Sequence, residues 1–105
     1  MLGLMKPPPA TLEGARVLEY AIVDEAVQFT GRLHLYRDDA RVGKVPCLAI
    51  VDDSDLGRLL LLHCDSEWNV MGGQFWSSLP AATVTEVKER AENYYSGLSA
   101  KWRPR

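Results

Sequence analysis

The sequence has little from which a metal site or a disulfide framework could be built. It contains two cysteines, Cys47 and Cys64, without CxxC spacing, and two histidines, His34 and His63. None of these residues shows the short paired spacing of a structural zinc site. We therefore expect no metal site, no cofactor and two reduced, buried thiols, which are typical of a cytoplasmic protein.

Long apolar runs and a basic surplus are also missing. No stretch approaches the roughly 18 apolar residues of a membrane span, and the apolar start before Lys6 is too short for a signal peptide. The chain carries 12 basic and 14 acidic residues, a formal net charge of −2. Only residues 101–105 are locally basic, and we interpret them as a solvated terminus. These features predict neither a membrane partner nor a nucleic-acid partner.

The length and composition are those of one folded domain. At 105 residues, with 47% hydrophobic and 25% charged residues, the chain can bury one core without metals or disulfides. Pro7, Pro8 and Pro9 remove three backbone donors and favour an extended segment. We therefore predict a flexible, proline-rich arm over residues 1–10, outside the core, and a single domain over residues 11–105.

Five runs are interpreted as strands. Residues 15–23 are rich in β-branched and aromatic side chains, although a helix is the alternative for this run. Alternation predicts a strand over 32–36. Residues 45–51 and 59–64 are apolar on both faces, as in central strands, and 68–71 form a short last strand.

The helix has the best-defined signals. Thr83 and Glu86 fit a capping box, and Gly97 is placed as the C-cap residue. An apolar stripe at three-to-four spacing follows the cap: Val84, Val87, Ala91, Tyr94 and Leu98. The predicted fold is therefore α+β, a four- to five-stranded antiparallel meander with one C-terminal helix packed on one face.

A single helix leaves the second face of such a sheet to be covered. In the first strand, alternation places Leu18, Tyr20 and Ile22 on one face, and Val17, Ala21 and Val23, with Glu19, on the other. Three groups could cover the second face: the loop around Phe75 and Trp76, the terminal segments, or a second copy of the chain. Because an exposed apolar face is costly, we hypothesise a homodimer.

His63, Cys64 and Asp65 resemble a reactive cluster. Consecutive strand residues point to opposite faces, however, so His63 and Cys64 cannot both reach one substrate in an unbroken strand. Cys47 could lie opposite Cys64, depending on the register. We interpret these residues as packed core and expect no catalytic residue and no enzymatic activity.

The large aromatic residues are the remaining candidates for a ligand or interface site. We interpret Trp68 as core and leave Trp76 and Trp102 open between core and interface. Exposed aromatic residues can anchor an interface. The candidate residues are Tyr36, Trp68, Phe75, Trp76 and Trp102.

Several short motifs in the chain form a recurring pattern. They are Leu48-Ala49-Ile50, Cys64-Asp65, Trp68-Asn69-Val70, Thr83 with Glu86, Ala91-Glu92, Tyr95, Gly97 and Lys101-Trp102, together with Leu18-Glu19-Tyr20-Ala21-Ile22 and Gly31-Arg32-Leu33. With them the chain resembles a set of small uncharacterised bacterial proteins, some carried on mobile integron gene cassettes. Pro80 and the loop over 75–82 depart from that pattern. The resemblance implies no activity.

These observations lead to two main function hypotheses, beside a third and less favoured one, an enzyme that uses Cys64 or His63. The first is a non-catalytic protein-interaction module, homodimeric, of which an immunity-type protein that caps a toxin is one version. A net charge of −2 gives no support for steering towards a basic nuclease. The alternative is a small-molecule-binding protein with an aromatic cleft near Trp68, Trp76 and Trp102.

Overall fold

A computed structural model describes residues 6–29, 46–53, 57–70, 81–93 and 95–105. Its elements are the strands β1 (Thr11–Leu12), β2 (Ala15–Ile22), β3 (Gln28–Phe29), β4 (Cys47–Asp53), β5 (Arg58–Cys64), the helix α1 (Val84–Glu92), β6 (Tyr95–Ser96), a 3-10 helix (Leu98–Ala100) and β7 (Trp102–Pro104). The predicted α+β fold is confirmed. The strand interpretation of the first run is also correct, since it forms β2.

The main sheet is antiparallel and is organised around β2. One edge of β2 pairs with β4, which pairs in turn with β5, as in a meander. The other edge of β2 pairs with β1 near its start and with β7 further along. The first and last of these strands therefore share one edge of β2. The predicted strand at 32–36 lies outside the described residues. Of the predicted last strand, Val70 forms an isolated bridge with Cys64.

A bulge in β2 corrects the predicted alternation. The register between β2 and β4 shifts between Val17 and Glu19, where one extra residue enters the strand. As a result, Val17 packs in the same core cluster as Tyr20 and Ile22 instead of with Ala21. Strict period-two reasoning was wrong at this point because it allows for no inserted residue.

The helix begins as predicted and ends earlier. The Thr83 hydroxyl accepts a bond from the Glu86 N–H at 3.1 Å, and the Glu86 carboxylate accepts one from the Ala82 N–H at 3.0 Å. The C-cap residue is Asn93, and Gly97, with φ of +90°, instead precedes the 3-10 helix. The predicted C-cap position was therefore wrong, although the glycine does adopt a left-handed conformation.

The core is divided between the two faces of the sheet. We call the side covered by α1 the helix face; its buried residues are Ala21, Val27, Leu48, Ile50, Leu61, Ala81, Val87, Ala91, Tyr95 and Leu98. We call the other side the far face; its buried residues are Leu12, Val17, Cys47, Ala49, Val51, Leu60, Leu62, Cys64 and Trp68. Trp68 and Val70 both pack on the far face, on the side of the sheet opposite to α1.

The N-terminal segment contacts the far face. Pro8 is fully buried, Leu12 belongs to the far-face core, and the Ala10 carbonyl accepts a 2.9 Å bond from the Val17 N–H. Of residues 6–10, Pro8 is therefore packed against the core, whereas the other four are exposed. The three prolines cannot donate backbone hydrogen bonds, but they remain free to pack through their rings.

Candidate functional site

The structure separates the two candidate tryptophans that it describes. Trp68 is buried on the far face, only 6% exposed. Trp102 is half-buried, pairs with Ala21 and packs against the helix-face core. These two indoles lie on opposite sides of the sheet and cannot line one cleft together. The other candidates, Tyr36, Phe75 and Trp76, lie outside the described residues.

The His63–Cys64 cluster is not assembled as a reactive pair. His63 lies opposite Leu48 on the helix face, and its ring is 5.9 Å from that of Tyr95. Cys64 belongs to the far-face core. Both residues are buried, and β5 continues without a break through both of them. The predicted separation across the sheet is therefore correct, and no nucleophile–base contact links the two side chains.

Cys64 has a different neighbour, Cys47, which is its direct cross-strand partner. Both are free cysteines and neither has any exposed surface. Burial raises the pKa of each thiol to about 12, and the nearby Asp65 carboxylate adds to both shifts. The thiols are thus held in their protonated, weakly nucleophilic form.

The backbone pattern fixes the type of this cysteine pair. Leu59 exchanges two hydrogen bonds, of 2.8 and 3.0 Å, with Ala81 on the outer edge of β5. Since backbone groups alternate between the two edges of a strand, Cys64 must direct its N–H and C=O towards β4. Cys47 and Cys64 are therefore a hydrogen-bonded pair, for which the Cα atoms stand about 5.5 Å apart.

A tight turn after β5 positions Trp68 above this region. The Asp65 carboxylate accepts bonds from the Glu67 and Asn69 N–H groups at 2.8 and 2.9 Å and from the Asn69 side-chain amide at 3.1 Å. The bond from the Asn69 N–H is the largest of the causes that lower the pKa of Asp65. Trp68 adopts a φ of +66° within the turn, a costly conformation for a residue with a side chain.

The Trp68 indole extends across the sheet. Its ring meets the Tyr20 ring on β2 edge-on, with centroids 5.7 Å apart and an interplanar angle of 90°, the favourable T-shaped arrangement. It packs in the same far-face cluster as Cys47, Ala49 and Cys64. Its Nε1–H donates a 2.8 Å bond to the Lys6 carbonyl. Trp68 and the N-terminal segment, residues 6–12, together form what we call the roof of the cysteine pair.

Trp102 marks a second, separate aromatic feature at the edge of the helix face. The Lys88 ammonium lies 6.0 Å from the centre of the Trp102 ring and 2.6 Å from a Glu19 carboxylate oxygen. This pair connects α1 to β2. The Trp102 Nε1 atom is buried and has no hydrogen-bond partner among the described residues.

The roof was missed by sequence reasoning because it depends on contacts between distant parts of the chain. The proline run was visible, but nothing in it indicated that the Lys6 carbonyl would meet an indole. The apolar character of both faces of β4 and β5 was the available signal, since it showed that something had to lie over the far face.

The described ranges bring no three histidine, cysteine or acidic side chains together as a metal-binding group. Of the helices within those ranges, none has the length and apolar character needed to cross a bilayer. Comparison of the chain with models of known families, with curated proteins and with solved structures gave no match.

Proposed function

We propose that this protein is a non-catalytic protein-interaction module that acts as a homodimer and contacts its partners through the far face. The observation that carries this proposal is the incomplete burial of Tyr20 and Ile22. Both pack against the far-face core but remain only half-buried. The far-face core residues that they pack against are buried.

The chemistry around these side chains fits a contact surface. Arg103 of β7 lies opposite Tyr20 in the register and is exposed. An aromatic ring and an aliphatic side chain beside an arginine resemble the composition of protein interfaces, in which tyrosine and arginine are enriched. A stable dimer would have to bury about 1,000 Å² or more in total, so the interface would extend beyond these three residues.

A small-molecule site receives less support. The hypothesised cleft needed Trp68 and Trp102 on the same wall, and they lie on opposite faces of the sheet. A thermal-shift screen with a broad metabolite set distinguishes the two functions. A ligand at a hundred times its dissociation constant would add about 2.7 kcal/mol of stability, whereas the interaction module predicts no such shift.

Adjacent residues of the chain offer a matched test of the dimer interface. Ile22→Thr places a hydroxyl on the far face, while Val23→Thr makes the same kind of change beside the helix-face core. We expect Ile22→Thr to raise the dimer dissociation constant at least tenfold in sedimentation equilibrium and Val23→Thr to leave it unchanged. Equal effects of the two substitutions would count against the far face as the interface.

The same two variants can be used to look for other protein partners. Wild-type, Ile22→Thr and Val23→Thr chains would each be used as bait in a pull-down from the native host. The proposal predicts a partner that is captured by the wild type and by Val23→Thr and lost with Ile22→Thr. A repeated failure to capture any protein would weigh heavily against the interaction module.

A further inference from the structure

The buried cysteine pair has a geometry that allows a covalent bond. Cys47 and Cys64 are direct partners across β4 and β5, and the Cα separation of such a hydrogen-bonded pair is about 5.5 Å. Disulfides join cysteines whose Cα atoms are roughly 4.4–6.8 Å apart. The backbone therefore already holds the two residues within bonding range.

The bond would form under strain. Cβ atoms of directly opposed residues stand about 4.5–5.5 Å apart, with the larger values in hydrogen-bonded pairs, whereas a disulfide needs about 3.5–4.5 Å. Closure would have to draw the ends of β4 and β5 together. Strained disulfides have more oxidising potentials and are the labile, regulatory ones, so this bond would be readily reversible.

The pair is buried within the far-face core. Neither thiol has exposed surface, and the Trp68 indole, which packs in the same far-face cluster, is held by its 2.8 Å bond to the Lys6 carbonyl. The high pKa of both thiols, about 12, keeps them unreactive while they are covered. An oxidant can reach them after side chains of the far-face cluster, with Trp68 among them, have moved aside.

We propose that Cys47 and Cys64 form a gated redox pair, in which displacement of the Trp68–Lys6 roof allows a reversible cross-strand disulfide to form. This inference does not rest on the proposed function. It assigns a modification site to residues that the interaction surface does not use directly.

The reaction is an ordinary thiol–disulfide exchange with a small disulfide such as oxidised glutathione. One protein thiol loses its proton and attacks the oxidant, which releases one glutathione and leaves a mixed disulfide. The second thiol then attacks the protein sulfur of that mixed disulfide and releases the second glutathione. The protein loses two protons and two electrons, and the oxidised glutathione gains them as it becomes two glutathione molecules.

The test measures the rate of intramolecular oxidation of the full-length protein by oxidised glutathione. Mass spectrometry would follow the loss of about 2 Da that accompanies disulfide formation, and dithiothreitol should reverse it. Trp68→Phe keeps an aromatic ring but cannot donate to Lys6. We expect this variant to oxidise about fivefold faster than the wild type, the factor that corresponds to one ordinary hydrogen bond.

A matched control separates the roof from general loosening. Trp102→Phe makes the same substitution on the helix face, where the indole N–H has no partner among the described residues, and it should oxidise at the wild-type rate. Pro8→Gly, which removes a buried ring from the roof, is the second variant if Trp68→Phe does not fold. Equal acceleration by Trp102→Phe, or mixed disulfides without ring closure, would overturn the proposal.

Discussion

The indole N–H of Trp68 and the backbone carbonyl of Lys6 form a 2.8 Å hydrogen bond across 62 residues of sequence. This bond connects the turn that follows β5 to the segment that precedes β1. It fixes the indole over the far face and attaches the start of the described chain to the core.

Loss of the Trp68–Lys6 bond should reduce stability. Trp68→Phe removes the donor of this part-buried bond, and we expect the free energy of unfolding to fall by about 1 kcal/mol. Trp68→Ala should cost about 3–5 kcal/mol because it also creates a cavity. Urea denaturation measures both. Trp102→Phe is the control, and a loss as large as that of Trp68→Phe would show that the bond contributes nothing.

Gly97 should be the least replaceable of the described glycines with positive φ. A Cβ atom at this position would come within 2.7 Å of the Ala26 carbonyl oxygen, whereas nothing lies within 4 Å of the corresponding position at Gly14. Both glycines have φ near +85°, at +90° and +81°, so Gly14→Ala is a control for the backbone strain alone.

We expect Gly14→Ala to cost about 1 kcal/mol and Gly97→Ala to cost about 1–3 kcal/mol more, because the clash is with backbone that cannot move aside freely. Thermal unfolding of the two variants measures the difference. Equal melting temperatures would mean that the contact between the 3-10 helix and residue 26 is looser than the structure shows.

The ion pair between Lys88 and Glu19 should contribute to the attachment of α1. Its side chains are 32% and 25% exposed, compared with 71% and 36% for the longer Arg16–Asp52 pair. A double-mutant cycle with Lys88→Met and Glu19→Gln should give a coupling of about 0.5–1 kcal/mol that decreases with added salt. The Arg16–Asp52 cycle should give close to zero. A larger coupling for the exposed pair would contradict the ranking.

Acid should destabilise the protein partly through Asp65 and Asp24. Hydrogen bonds from Asn69 lower the pKa of Asp65, and a hydrogen bond from Lys101 lowers that of Asp24. Because the pKa of each carboxyl group is lower in the folded state than in the unfolded state, its ionisation stabilises the folded protein. This stabilisation is complete above the unfolded-state pKa of about 4 and is lost as the pH falls through the folded-state pKa. Asp65→Asn should therefore be less stable than the wild type at pH 7, and this difference should shrink below about pH 4. Parallel stability curves from pH 7 to pH 2 would disprove this linkage.

The local parts of the fold could be predicted from the sequence because their causes are local. The Thr83 and Glu86 cap, the apolar runs of β4 and β5, and the strand character of β2 depend on neighbouring residues. The position of Trp68 could not be predicted, because its positive φ turns the chain away from the regular alternation. The bulge at Val17 and the contact of Lys6 with Trp68 likewise depend on tertiary packing.

Of the candidate site, the sequence indicated the separation of His63 from Cys64 but left the register of Cys47 open. That register is set by the pairing of all seven residues of β4 with β5. The sequence alone does not determine where the connecting loop begins and ends, so it does not determine which residues pair. The assignment of Trp68 and Trp102 to opposite faces could not be predicted either, because it depends on the pairing of β7 with the edge of β2 that does not pair with β4.

We propose above all that the far face, with its half-buried Tyr20 and Ile22, is a protein-contact surface that joins two copies of the chain. Light scattering coupled to gel filtration tests it most directly, on the wild-type chain at micromolar concentration. The account predicts the mass of two chains, and a decrease towards one chain on dilution or in Ile22→Thr. The mass of one chain at every concentration would contradict it.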